Sequence, residues 1–218
     1  QAQMDAQVAS AAARGFQPNV HAIGDAANAQ VLSAFAQLTP AQRAALRPRI
    51  EHAQVVALPD LSRFASLNVI ASMQPTHATS DMNMAEARVG AERLKGAYAW
   101  ATLLKSGARY AGGSDFPVES PNPFYGLHAA VTRQDAGNAP PGGWIPAEKM
   151  TLEQAFAAFT TGAAYANFED SFAGTLTPGK WADFIIIDRD IFTGPPSAIR
   201  STLVEETWLA GKPVFMRD

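Results

Sequence analysis

Short apolar, branched runs alternate with helix-favouring stretches through most of this chain, and that alternation restricts its fold more than any other feature. Runs at residues 16–23, 47–52, 67–73 and 108–112 read as strands. Residues 3–14, 26–38, 40–46, 59–66 and 91–106 read as helices, with Asp25 as N-cap of the second. Strands alternating with helices dictate an α/β class, with a parallel sheet and right-handed crossovers. Residues 74–90 are polar with little period and read as a long loop.

The later sequence changes character. A helix over 122–132 precedes a Pro- and Gly-rich surface excursion at 136–146, and a further helix over 151–165 starts at Thr151 as N-cap. Strands are then expected at 182–188, 204–209 and 214–216, the last two joined as a hairpin across 210–213. The expected division is therefore 1–171 for the α/β unit and 172–218 for a small β unit.

Parallel sheets present functional side chains where a strand ends and its loop begins. His21, His52 and Asp115 each stand at that place, 31 and 63 residues apart. Alone, each has a bland reading: a histidine on an apolar strand is mostly structural, and Gly-Ser-Asp is a common turn. Together, at one end of successive strands, they read as ligands of a catalytic metal site. Gly112 and Gly113 ahead of Asp115 permit close backbone approach.

Two imidazoles and a carboxylate suit a divalent ion, Zn first, with Fe, Mn and Ni open and one or two ions allowed. Such an ion brings the pKa of its water toward 7. Asp115, the catalytic residue, is suited to taking that proton and passing it to a leaving amine, while His21 and His52 are pure ligands. Hydrolysis of an amide-like C–N bond in a small molecule is the matching reaction. His77 and Asp81, in the 74–90 stretch, are read as substrate-binding, against a solvated loop. His128 is read as structural. Arg133 is expected to meet a carboxylate in preference to a substrate anion, and Glu119 carries the same two readings.

Composition removes several other functions. The chain has 218 residues, is 47% hydrophobic and 17% charged, and carries a net charge of −3 with scattered basic residues. No basic surface for nucleic acid or anionic membrane is expected. The absence of Cys excludes disulfides and thiolate metal sites. No run of about 18 apolar residues suggests a membrane span. Localisation stays open between cytoplasm and periplasm, and a homo-oligomer is allowed.

The segments Val20-His21-Ala22-Ile23-Gly24-Asp25, Arg49-Ile50-Glu51-His52, Ala71-Ser72-Met73-Gln74-Pro75 with His77 and Asp81, and Gly113-Ser114-Asp115-Phe116-Pro117-Val118 run in a familiar order. With Gly174-Thr175-Leu176 and Pro178-Gly179-Lys180-Trp181-Ala182-Asp183-Phe184, they resemble the amidohydrolase superfamily, and within it family 3, the YtcJ-like enzymes related to N-substituted formamide deformylases. That resemblance implies a (β/α)8 barrel whose strands 5, 6 and 8 end in His21, His52 and Asp115. It also implies a small composite β-sandwich domain that includes the residues after Phe172. The family's His-x-His pair on strand 1 is absent from this chain. The expectation is thus a C-terminal half-barrel, strands 5–8, acting with a missing N-terminal half of the same enzyme. The alternatives are a non-catalytic half-barrel that binds or supports, or the same barrel acting as a deaminase or lyase.

Overall fold

The computed structural model describes residues 1–218. Its first sheet contains β1 (Asn19–Ala22), β2 (Arg49–His52), β3 (Ile70–Met73) and β4 (Arg109–Gly112), in sequential order and with every pair parallel. The connections are helical: α2 (Asp25–Ala36) and α3 (Pro40–Leu46), then α4 (Leu58–Ser66), then α5 (Pro75–Asp81), α6 (Ala85–Leu94) and α7 (Trp100–Lys105). Before β1, α1 (Ala2–Ala13) packs against α2.

Register sorts the strand side chains into two faces. Val20, Ile50, Ala71 and Tyr110 form one row across the sheet and pack with Phe35, Phe64, Trp100 and Leu103 from the helices in the main core. The neighbouring row is His21, Glu51, Ser72 and Ala111. On that second face Ile70 and Ala111 join Ala166 and Tyr165 in a separate apolar cluster. Period-2 alternation thus sends Val20, Ile50, Ala71 and Tyr110 to the helices and His21, Glu51 and Ser72 to the other face, with Ile70 and Ala111.

Three readings need correction. The 74–90 segment is not a loop: Pro75 sits in the first turn of α5, where its missing N–H costs nothing, and α6 follows, kinked at Gly90 (φ 76°). The helix expected over 91–106 is broken between Leu94 and Trp100. Residues there pair instead with the segment after β2, through Val56 N–H to the Gly96 carbonyl (2.9 Å), Tyr98 N–H to the Gln54 carbonyl (2.6 Å) and a bridge between Val55 and Ala97. A Cβ on Gly96 would lie 1.8 Å from the Val56 carbonyl oxygen, so this tertiary contact, not helix propensity, decides the segment. Asp25 is the first helical residue and not the cap: Gly24 is the N-cap, and the Asp25 carboxylate accepts from Ala26 N–H (2.9 Å).

After β4 come α8 (Pro123–Thr132), capped by Asn122, and α9 (Leu152–Ala157), whose Thr151 and Gln154 form a reciprocal capping box. The helix continues through a π-turn at Ala158–Gly162 into α10 (Ala163–Ala166). The second sheet is antiparallel: β5 (Phe184–Ile187), β6 (Val204–Leu209) and β7 (Lys212–Met216). Ala210 (φ 50°) and Gly211 (φ 74°) make the β6–β7 turn, both left-handed as a tight hairpin requires. No helix is long and apolar enough to cross a membrane.

Candidate metal centre

His52 ends β2, where strict alternation would put its side chain on the Ile50 face, opposite His21. Its backbone is left-handed (φ 77°), as is that of Ala53 (φ 45°), and this breaks the alternation. The His52 ring then meets His21 edge-on, with ring centroids 4.4 Å apart. Asp115 is also left-handed (φ 57°) and stands in a turn closed by Val118 N–H to its carbonyl (2.8 Å). Such backbone conformations cost on the order of 1–3 kcal/mol and persist where the surroundings enforce them.

His77 enters from the first turn of α5. Its ring lies 5.8 Å from that of His52, nearly parallel, and its Nε2 is 3.9 Å from Asp115 Oδ2. One ligand atom each from His52, His77 and Asp115 fall within 4.8 Å of one another. His52 and His77 are buried, whereas the Asp115 side chain is 39% exposed. The trio therefore has one open side.

Two glutamines hold the rings. His52 Nδ1 donates to Gln74 Oε1 (2.9 Å), which leaves Nε2 free for a ligand. Gln54 Nε2 donates to His77 Nδ1 (3.0 Å). Burial is the largest influence on His77 and pushes its pKa below the ordinary value. The carboxylates of Glu119, Asp115 and Asp81 oppose this, and His52 reinforces it. His77 is thus neutral at pH 7. Its Nε2 is buried without a protein partner. Imidazole nitrogens gathered beside a carboxylate are a donor set that fits a borderline-soft divalent cation.

The other residues singled out from sequence fall around this group. His21 is exposed on the edge strand β1, beside His52. The Asp81 carboxylate accepts the hydroxyl of buried Tyr98, whose own pKa rises through burial and that bond. Glu119 accepts from Ser80 Oγ (2.5 Å), linking the loop after β4 to α5. His128 lies away from the trio, buried in α8, with Nε2 bonded to Asn138 Oδ1 (3.0 Å).

Arg133 does not meet a carboxylate directly. Fully buried, it donates to the carbonyls of Trp144 and Tyr98 (2.9 Å for the latter) and lies 4.4 Å above the Trp100 ring. Burial pulls its pKa down to about 10, against the pull of nearby Glu148, which is itself bonded to Thr102. Arg133 Nη2 has no partner, so two carbonyls and the aromatic faces of Trp100 and Trp144 hold the guanidinium where a carboxylate was expected.

Sequence reasoning missed Gln54 and Gln74 as ring partners. Gln74 directly follows β3 and Gln54 lies two residues past β2, so the strand-end rule that selects the histidines also reaches them.

Comparison with known proteins adds the lineage. A model of the amidohydrolase family matches residues 1–215. Protein LONG AFTER FAR-RED 3 of Arabidopsis thaliana is 35% identical over 206 residues, covering 92% of this chain and 34% of that protein. The amidohydrolase YtcJ of Bacillus subtilis (strain 168) is 30% identical over 205 residues, covering 94% of this chain and 38% of that protein. The crystal structure of an uncharacterised metal-dependent hydrolase from Pyrococcus furiosus superimposes with a TM-score of 0.72 at 34% identity, covering 87% of this chain and 37% of that one. The chain spans little more than a third of these relatives' length. It belongs to the amidohydrolase family.

Proposed function

We propose that this chain is the C-terminal part of a metal-dependent hydrolase acting on a non-peptide, amide-like C–N bond of a small molecule. The convergence of His52 at the end of β2, His77 in the first turn of α5 and Asp115 in the turn after β4, with His21 against His52, carries this reading. In it His21, His52 and Asp115 hold the divalent ion, while His77 faces the substrate. A bound ion of this class supplies an activated water at neutral pH and Lewis-acid polarisation of a carbonyl.

The chain's own residues do the rest. Asp115, with its partly open carboxylate, receives the proton of the attacking water and delivers it to the departing nitrogen. Gln74 orients His52 through Nδ1, so the ring cannot swing from its task. Asp81 is occupied by Tyr98, so its contribution to substrate binding is to anchor the end of α5 that carries His77.

The barrel follows from the same reading. Strands β1 and β4 end the first sheet, and neither has a further strand beside it. Four more parallel strands from the rest of the protein would close a (β/α)8 barrel and bring the remaining ligands. The second sheet, β5–β7, would complete its small β domain likewise.

The test uses the full-length protein. One or two divalent ions per chain are expected by elemental analysis, and a screen of amide, formamide and amidine substrates should find turnover. Asp115→Asn should reduce kcat about 10²–10⁴-fold. Hydrolysis by that variant at the parent rate would refute the role of Asp115, and a metal-free parent would refute the site.

A further inference from the structure

We infer that two buried glutamines give the paired imidazoles opposite tautomers, so that His52 offers a bare Nε2 to the ion and His77 offers an Nε2–H to the carbonyl oxygen of the substrate. The inference rests on the metal-hydrolase reading and deepens it. By distance alone, His77 qualifies as a ligand as well as His52 does. The hydrogen bonds separate them.

Gln74 is fixed in one sense. Its Nε2 donates back to the Ser72 carbonyl (3.4 Å), so its Oε1 is the atom that faces His52 Nδ1, at 2.9 Å. An acceptor at Nδ1 puts the His52 proton there and leaves Nε2 as a lone pair. Gln54 presents the opposite group. Its Nε2 lies 3.0 Å from His77 Nδ1 and donates to it, so a neutral His77 carries its proton on Nε2.

That Nε2–H has nowhere to go within the chain. It is buried, has no protein partner, and stands 3.9 Å from Asp115 Oδ2, beyond hydrogen-bonding range. A buried donor aimed at an open-sided carboxylate is unusual unless something else meets it. In an amide hydrolase the fitting partner is the carbonyl oxygen, which gains negative charge as water adds. A preorganised N–H aimed there stabilises that charge without reorganising. Gln54 is then a positioning residue: it touches neither substrate nor ion, but decides which hydrogen-bonding character His77 shows.

The experiment is a long-range 1H–15N correlation of the imidazole nitrogens in full-length protein with labelled histidine, metal-free and then Zn-loaded. The metal-free spectrum should show His77 protonated at Nε2 and His52 protonated at Nδ1. On loading, Nε2 of His52 should shift strongly, while His77 keeps its Nε2 proton. Two variants extend the test. Gln74→Leu should weaken Zn binding about 10–100-fold. Gln54→Glu, close to isosteric, places an acceptor at Nδ1 and should move the His77 proton there. It should lower kcat more than it raises KM and leave Zn affinity equal or higher.

A His77 that is bare at Nε2 in the metal-free protein, or that loses its Nε2 proton on loading, would overturn the inference while leaving the hydrolase reading intact. No binding of Zn at all would instead remove the hydrolase reading.

Discussion

The imidazole of His21 meets that of His52 edge to face, with ring centroids 4.4 Å apart, although strand alternation alone would send them to opposite faces. The left-handed backbone of His52 reconciles the two. Contact of two imidazoles at the ends of adjacent parallel strands is what joint ligation of one ion needs, and it leads to the first prediction. His21→Ala and His52→Ala should each lower divalent-metal affinity by more than the 10–100-fold typical of an outer-shell partner. Competition against a graded chelator measures this, and unchanged affinity in either variant removes that residue from the ligand set.

Asp115 trades backbone ease for position. At φ 57° a glycine sits without steric cost, so Asp115→Gly should stabilise the protein by about 1 kcal/mol relative to Asp115→Ala while both lack activity. Paired thermal melts at matched metal occupancy decide it. Equal melting temperatures would show that the turn carries no strain.

Acid should weaken the fold through buried histidine. Burial lowers the His128 pKa; its bond to Asn138 opposes this, Arg200 reinforces it, and Asp135 opposes it. The unfolded chain therefore binds the proton first as pH falls below about 6.5, and stability, whole above that value, declines through it. His77, also lowered by burial, acts with the same sign. Urea midpoints at about pH 7.5 and about pH 5 should differ in the parent and differ less in His128→Gln. Parallel declines in both proteins would contradict the assignment.

Arg133 is the largest buried charge in the core. It is held by two carbonyls and lies 4.4 Å from the Trp100 ring centroid and 5.1 Å from that of Trp144. Arg133→Lys keeps the charge but loses the planar fork, and Arg133→Ala strands the carbonyl of Trp144 and leaves that of Tyr98 with the Trp100 N–H alone. Losses of roughly 3–5 kcal/mol are expected for Ala, with Lys recovering little of it. Chemical denaturation of both variants measures the difference, and near-complete rescue by Lys would mean that charge, not shape, is what the site uses.

Much of this architecture was legible in one dimension. The strands at Asn19–Ala22, Arg49–His52, Ile70–Met73 and Arg109–Gly112 lie inside the apolar runs, because branched residues bounded by helix stops leave little alternative. The N-cap at Thr151 was visible for the same local reason. The helices of 75–94 were not, since α5 starts on a proline and α6 is interrupted at Gly90, so neither shows a sustained period. The break at 95–99 was hidden too, because its cause is a backbone pairing with residues some forty positions earlier.

At the candidate centre the division is similar. Sequence alone determined that two imidazoles and a carboxylate stand at the ends of parallel strands, because a strand's end is set by its own residues. Tertiary structure alone decided that α5 swings His77 to within 3.9 Å of Asp115, and that His52 turns over to meet His21. It also decided that Gln54 and Gln74 present opposite groups to the two rings. Those are relations between side chains more than twenty residues apart, and only the packing of helices onto the sheet sets their distance and direction.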